Sequence, residues 1–293
     1  MRHGLLLLLA LTCAATACAA PPTADGRVDV VAGAYPFAWA AQQVGGDDVH
    51  VTDLVRGGGE PHDVELAPRQ VGAVEQADLV VYLPGFQPAV DDAIRVTGAA
   101  ALDLSGPAQV RSAGSDLADA PRGGIDPHVW LDPVRMTQIV LAVRDRLIRV
   151  DPEHATGYRG RAAAAVAELA SLDGLFRVQL SGCRRTDVVT AHTAFFYLAD
   201  RYGLRQVGVT GLDPDSEPTP GRVAKVARLA QQLGVTTVYF ESTTSTGLAR
   251  TVADEIGART AVLDPIERVK PGEDYLSVMR RNAVALHEGL GCA

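Results

Sequence analysis

The chain has 293 residues, 47% hydrophobic and 21% charged, which is enough apolar material for two ordinary globular lobes and excludes a disordered tail. Its formal net charge of −8 argues against the basic face that nucleic acid or anionic lipid requires, so neither is an expected partner. An acidic surface tolerates a cation without specifying one.

In chain order the first element is a leader. Arg2 and His3 precede the apolar run Leu5 to Leu11, and small residues follow up to Cys18, then Ala19, Ala20, Pro21 and Pro22. This reads as a signal peptide over residues 1–17. The run is too short to span a bilayer, and no later stretch approaches the roughly 20 apolar residues of a transmembrane helix. Ala15-Thr16-Ala17-Cys18 has the form of a bacterial lipobox, in which the cysteine is lipidated and residues 18–26 become a tether. Ala15 stands where leucine is usual, so the alternative is plain secretion after cleavage nearby. The expected location is the outer face of the bacterial cytoplasmic membrane, held by the lipid alone. The alternative is soluble periplasmic or secreted protein.

Residues 27–150 read as a first α/β lobe. Short apolar runs lie at Val28 to Ala32, Val49 to Val55, Ala77 to Leu83 and Ala100 to Leu104, with helical patterns near Pro36 to Val44, Pro68 to Gln76 and Pro88 to Val96. Ser105 to Gly124, rich in Gly, Ala, Ser and Asp, reads as a surface loop. Residues 151–182 carry no strand signal. Tyr158, Ala162, Val166, Leu169, Leu172, Phe176 and Leu180 recur at steps of three or four from His154 to Leu180, predicting one helix of about 40 Å, longer than one lobe needs. It is expected to be a rigid link; two helices broken at Gly174 is the alternative. Residues 183–293 repeat the alternation, with runs at Asp187 to Ala191, Gln206 to Thr210, Thr236 to Phe240 and Thr260 to Leu263 and helices such as Ala194 to Tyr202 and Arg222 to Leu233. Strand and helix in alternation predict parallel sheets, and two series predict two lobes.

If Cys13 leaves with the leader and Cys18 carries the lipid, Cys183 and Cys292 are the thiols of the folded body. Outside the cytoplasm such residues commonly pair, here as a staple between the C-terminal helix and the start of the second lobe. A thiolate metal site is the less attractive reading, since neither has a Cys or His at ligand spacing.

Seven histidines carry the chemistry. His3 leaves with the leader, and His50, His154 and His287 sit in strand or helix patterns with undistinguished neighbours. His62 lies in Pro61-His62-Asp63 and His128 in Asp126-Pro127-His128-Val129-Trp130-Leu131-Asp132-Pro133. Proline limits the backbone before each ring, and adjacent carboxylates can accept the second N–H, as partners of metal-bound imidazoles usually do. His62, His192 and Asp264 each fall beyond the carboxyl end of a predicted strand, where open α/β sheets gather ligands. With His128 they place two candidates on each lobe, which points to a metal site in the interlobe cleft. A lone histidine is more often structural, and only the four together bring the metal reading level with that one.

These motifs, with Tyr35-Pro36, Thr190-Ala191-His192-Thr193-Ala194-Phe195 and Leu263-Asp264-Pro265, make the chain after Cys18 resemble the zinc- and manganese-type solute-binding lipoproteins of ABC transporters. The resemblance implies two α/β lobes bridged by one long helix, and the ligands His62, His128, His192 and Asp264. It implies a supporting role for Glu217 in the loop Gly211 to Pro218. It also implies an ABC permease and its ATPase as partners, with a metallochaperone as a further candidate, and a monomer. Many zinc members carry a His-rich loop in the first lobe, whereas Ser105 to Gly124 holds no histidine. Three imidazoles with one carboxylate suit Zn2+ better than the alternative Mn2+, which prefers harder oxygen donors. A zinc hydrolase is the competing class, with Glu60, Glu65 or Glu241 as base. Four ligands close the shell a catalytic zinc keeps open, and no HExxH, P-loop or serine elbow is present. The chain is therefore expected to be a receptor and not an enzyme. An adhesin of the same fold is the third reading.

Overall fold

The structure, a computed structural model, describes residues 26–55, 60–111, 125–212, 217–241 and 247–293. The expected leader, Cys18 and most of its tether lie outside the described residues, as do residues 112–124 and 213–216 of the two expected loops.

Strands β1 (Val28–Ala32), β2 (Val49–Asp53), β3 (Leu79–Tyr82) and β4 (Ala101–Asp103) form an all-parallel sheet in the order β2-β1-β3-β4. Strands β5 (Asp187–Thr190), β6 (Arg205–Gly208), β7 (Thr237–Phe240) and β8 (Arg259–Val262) repeat that order as β6-β5-β7-β8. The central strands are valine-rich because helices cover both faces. In β1, Val30 and Ala32 point into one core while Val31 points into another, beneath α2 (Pro68–Gln76) and α3 (Pro88–Thr97). In β5, Val188 and Val189 divide in the same way, with Val189 packed beneath α7 (Pro220–Gln232) and α8 (Gly247–Ile256). Burying each such side chain on both faces is worth about 1.5–3 kcal/mol relative to exposure.

The first-named core is continuous between lobes. It takes residues from α1 (Tyr35–Gly45), α4 (Pro133–Val150), α5 (Ala155–Gln179), α6 (Phe196–Tyr202) and α9 (Tyr275–Leu290) as well as from both sheets. Helix α5 is the link. Its 25 residues run unbroken through Gly174, a length of about 37 Å, and its buried face of Tyr158, Ala162, Ala165, Leu169, Leu172 and Phe176 follows the predicted spacing. It packs on α1 and α4 in the first lobe and on α9 in the second. Arg201 of α6 adds a clamp, with Nε 2.7 Å from Asp173 of α5 and 3.2 Å from Asp132 ahead of α4.

Hydrogen bonds pin the lobes directly. Trp130 Nε1 donates to the Pro265 carbonyl at 2.7 Å, the Tyr275 hydroxyl to the Trp130 carbonyl at 2.6 Å, and the Tyr197 hydroxyl to the Asp126 carbonyl at 2.9 Å. Cys183 and Cys292 form the expected disulfide, fastening the chain beyond α9 to the segment between α5 and β5. A cross-link closing a loop with a sequence separation of 109 restricts the unfolded chain, an effect of roughly 2–5 kcal/mol. No helix among the described residues is long and apolar enough to cross a membrane.

Candidate metal centre

The seam between the two sheets gathers the buried histidines. His192 lies just beyond β5 and Glu241 just beyond β7, neighbours in the sheet order where the crossovers diverge, so the two side chains meet at that crevice. Glu241 accepts a short hydrogen bond from His192 Nδ1. The His192 carbonyl accepts from Thr190 Oγ1 at 2.6 Å and from Gln206 Nε2 at 3.1 Å, which fixes the backbone that carries the ring.

His128 is held from its own turn. Asp126 Oδ1 accepts the His128 backbone N–H at 3.0 Å and Nδ1–H at 2.8 Å, before the 3-10 turn Val129–Leu131 begins. His62 sits on the segment after β2. Buried Gln87 donates to the Pro61 carbonyl at 2.9 Å and holds that segment down. Gly33 makes room for it, since a Cβ there would come within 2.8 Å of Gln87 Oε1.

His62, His128 and His192 converge with a fourth residue, Glu267, so that one donor atom from each lies within 4.8 Å of the others. Glu267 Oε1 is 3.1 Å from His128 Nε2 and 3.3 Å from His62 Nε2. Donors on a tetrahedral zinc with bonds of about 2.0–2.1 Å stand about 3.4 Å apart. Two of the donor separations therefore already lie close to that edge length, within a set whose widest spacing is no more than 4.8 Å. His192 Nε2 is buried and has no hydrogen-bond partner among the described residues. An orphaned imidazole nitrogen aimed into a histidine cluster fits a ligand awaiting an ion. The Nδ1 sides of His128 and His192 are both taken by carboxylates, which fixes the tautomer that presents Nε2.

Asp264, expected as the fourth ligand, is not a member of this cluster, whose carboxylate is that of Glu267, three residues later. The Asp264 carboxylate instead accepts the Ile266 N–H at 2.8 Å. Ile266 has a φ of 61°, a left-handed conformation that costs a β-branched residue roughly 1–3 kcal/mol. That bend turns Glu267 into the cleft. Glu217 is exposed and lies outside the cluster.

Electrostatics follow from burial. His128 and His192 are 0% exposed and the His62 side chain 13%, so His62 marks the side nearest solvent. Burial alone raises the Glu267 pKa, but hydrogen bonds from His128 and His62 and the charge on His128 and His192 hold it well below the usual carboxylate range. Burial likewise disfavours a charged His128, yet hydrogen bonds to Asp126 and Glu267, with their charges, push it up to about 9.

Glu241→Gln is expected to weaken zinc binding about 10–100-fold while leaving all four donors in place, because outer partners contribute that much to metal affinity. Competition titration of the variant against a chelator of known strength checks it; affinity equal to wild type would remove Glu241 from the site's workings.

Residues 30–289 match the family described as "ZnuA: Zinc-uptake complex component A periplasmic". The chain is 35% identical to the zinc-binding lipoprotein AdcA of Streptococcus pneumoniae, over 96% of this chain and 60% of AdcA. It therefore spans less than two thirds of that relative. It is 31% identical to the high-affinity zinc uptake system protein ZnuA of Bacillus subtilis, over 98% of this chain and 97% of that protein. The structure of laminin-binding protein Lmb of Streptococcus agalactiae, described as a bifunctional protein with adhesin and metal transporting activity, superposes with a TM-score of 0.82 at 28% identity, covering 90% of this chain and 99% of Lmb. By the family match and by identity along nearly the whole Bacillus protein, the chain belongs to the ZnuA family of zinc-uptake components.

Proposed function

We propose that the protein is an extracytoplasmic receptor that captures a zinc ion between its lobes and delivers it to an ABC permease driven by a separate ATPase. The observation that carries this reading is the convergence of His62, His128, His192 and Glu267 on one buried point, with two of the rings braced on their far sides by Asp126 and Glu241. These four residues are the proposed ligands. Three imidazoles with one carboxylate favour zinc over manganese, since hard oxygen donors are in the minority. A four-donor protein shell leaves no open position for a reacting water, which supports capture over hydrolysis. Adhesion alone would leave the buried donor cluster without a purpose, and Lmb itself is named for metal transport as well as adhesion.

The proposed organisation is a signal peptide over residues 1–17, a lipid-bearing tether over 18–26 beginning at Cys18, lobes over 27–150 and 183–293, and the linking helix region over 151–182. The protein works as a monomer held outside the cytoplasmic membrane by its lipid. The shared core and the Trp130, Tyr275 and Tyr197 hydrogen bonds support capture by local side-chain shifts in place of a wide hinge.

Elemental analysis of the purified protein, followed by zinc and manganese competition titrations and growth of a receptor-deficient strain under zinc limitation, tests the reading. One zinc per chain, preferred over manganese, with growth restored is the expected result. No zinc affinity, or zinc bound without restored growth, overturns the receptor.

A further inference from the structure

We infer that Asp264 and Asn282 are positioning residues that aim Glu267 at the metal and do not ligate it themselves. The inference deepens the proposed zinc reading and rests on it.

The turn from Asp264 to Ile266 is gripped at every polar backbone position the structure describes a partner for. Asn282, buried on α9, uses both ends of its amide on one residue: Oδ1 accepts the Asp264 N–H at 2.9 Å and Nδ2 donates to the Asp264 carbonyl at 2.7 Å. The Asp264 carboxylate accepts the Ile266 N–H at 2.8 Å, closing a local Asx turn. From the opposite lobe, Trp130 Nε1 takes the Pro265 carbonyl at 2.7 Å. Ile266 is fully buried and left-handed at a φ of 61°. A β-branched residue keeps that conformation only where its surroundings over-determine it. The next residue is Glu267, whose Oε1 faces His128 and His62. A strained turn clamped by α9 on one side and by the first lobe on the other therefore decides where the carboxylate oxygen stands. Ligand geometry at a metal is sensitive to such supports.

The test compares purified wild-type protein with Asp264→Asn, Asp264→Ala, Asn282→Ala and Glu267→Gln. Zinc affinity is read by competition, and the visible absorption of bound Co2+ reports coordination geometry independently of affinity. Asp264→Asn keeps a side-chain oxygen for the Ile266 N–H and is expected to retain the wild-type cobalt spectrum and zinc affinity within about threefold, against the 10–100-fold that loss of a supporting contact costs. Asp264→Ala and Asn282→Ala are expected to weaken zinc by about 10–100-fold and to shift the cobalt bands. Glu267→Gln should lose more. If Asn282→Ala fails to fold, the two Asp264 variants carry the comparison. Asp264→Asn losing as much as Glu267→Gln would make Asp264 a ligand and overturn the inference, and so would unchanged cobalt spectra and affinities in both alanine variants. Absence of zinc binding by the wild type is a separate result, which defeats the underlying zinc reading and the inference with it.

Discussion

His192→Ala is expected to weaken zinc binding by more than about 100-fold, beyond the range that loss of an outer partner produces. The ring is fully buried, its Nδ1 is held by Glu241, and its Nε2 has no hydrogen-bond partner among the described residues. Removing it deletes one of the four proposed donors and leaves Glu241, itself buried, without its imidazole, an added cost of desolvation without a partner. The remaining His62, His128 and Glu267 offer a more open, harder site, so the preference for zinc over manganese should narrow as affinity falls. Competition titration with both metals measures the two effects together. Wild-type affinity in the variant would mean that the metal is held by a set excluding His192, and the interlobe centre would have to be sought elsewhere.

What the sequence made legible and what it hid follow from the range of the interactions involved. The strands were readable because parallel strands covered on both faces are runs of valine, and the two lobes followed from their repetition. Helix α5 announced itself through a stripe of period three to four, and Gly174 does not break it. Helix α4 has its start signal in Asp132 and Pro133, with Asp132 accepting the Val134 N–H at 2.9 Å. The same two residues also close the motif around His128, which masks the helix start. The three histidines were legible through their proline and strand-end settings. The acidic member of the cluster was not, because position after a strand selects Asp264, whereas Glu267 follows a left-handed isoleucine in a turn whose Asp264 is held by Asn282 eighteen residues away. No local signal marks isoleucine for that conformation. Glu241 was visible only as one of several acids. Its role depends on β5 and β7 being neighbours, and sheet order is not written in any single strand.

The second large effect concerns protons. In the metal-free protein His128 carries its charge below about 9, donating to Asp126 through Nδ1 and facing Glu267 through Nε2. A metal needs the Nε2 lone pair, so the bound state holds at least one proton fewer. The sign is then fixed: lowering pH favours the metal-free state, and apparent zinc affinity should fall about tenfold for each pH unit below 9. Stability of the metal-free protein runs differently. The raised His128 pKa contributes stability that is complete below its ordinary value of 6.5 and is lost as pH rises through about 9. The depressed Glu267 pKa contributes stability present above its ordinary 4.5 and lost as pH falls towards its lowered value. The pair therefore supports the metal-free fold most between 4.5 and 6.5, and the rise in melting temperature on adding zinc should grow from pH 6 to pH 9 as affinity strengthens. Titration calorimetry at neutral pH in buffers of different ionisation heat counts the released protons. A count near zero, with affinity flat across that range, would mean that His128 is already neutral before the metal arrives.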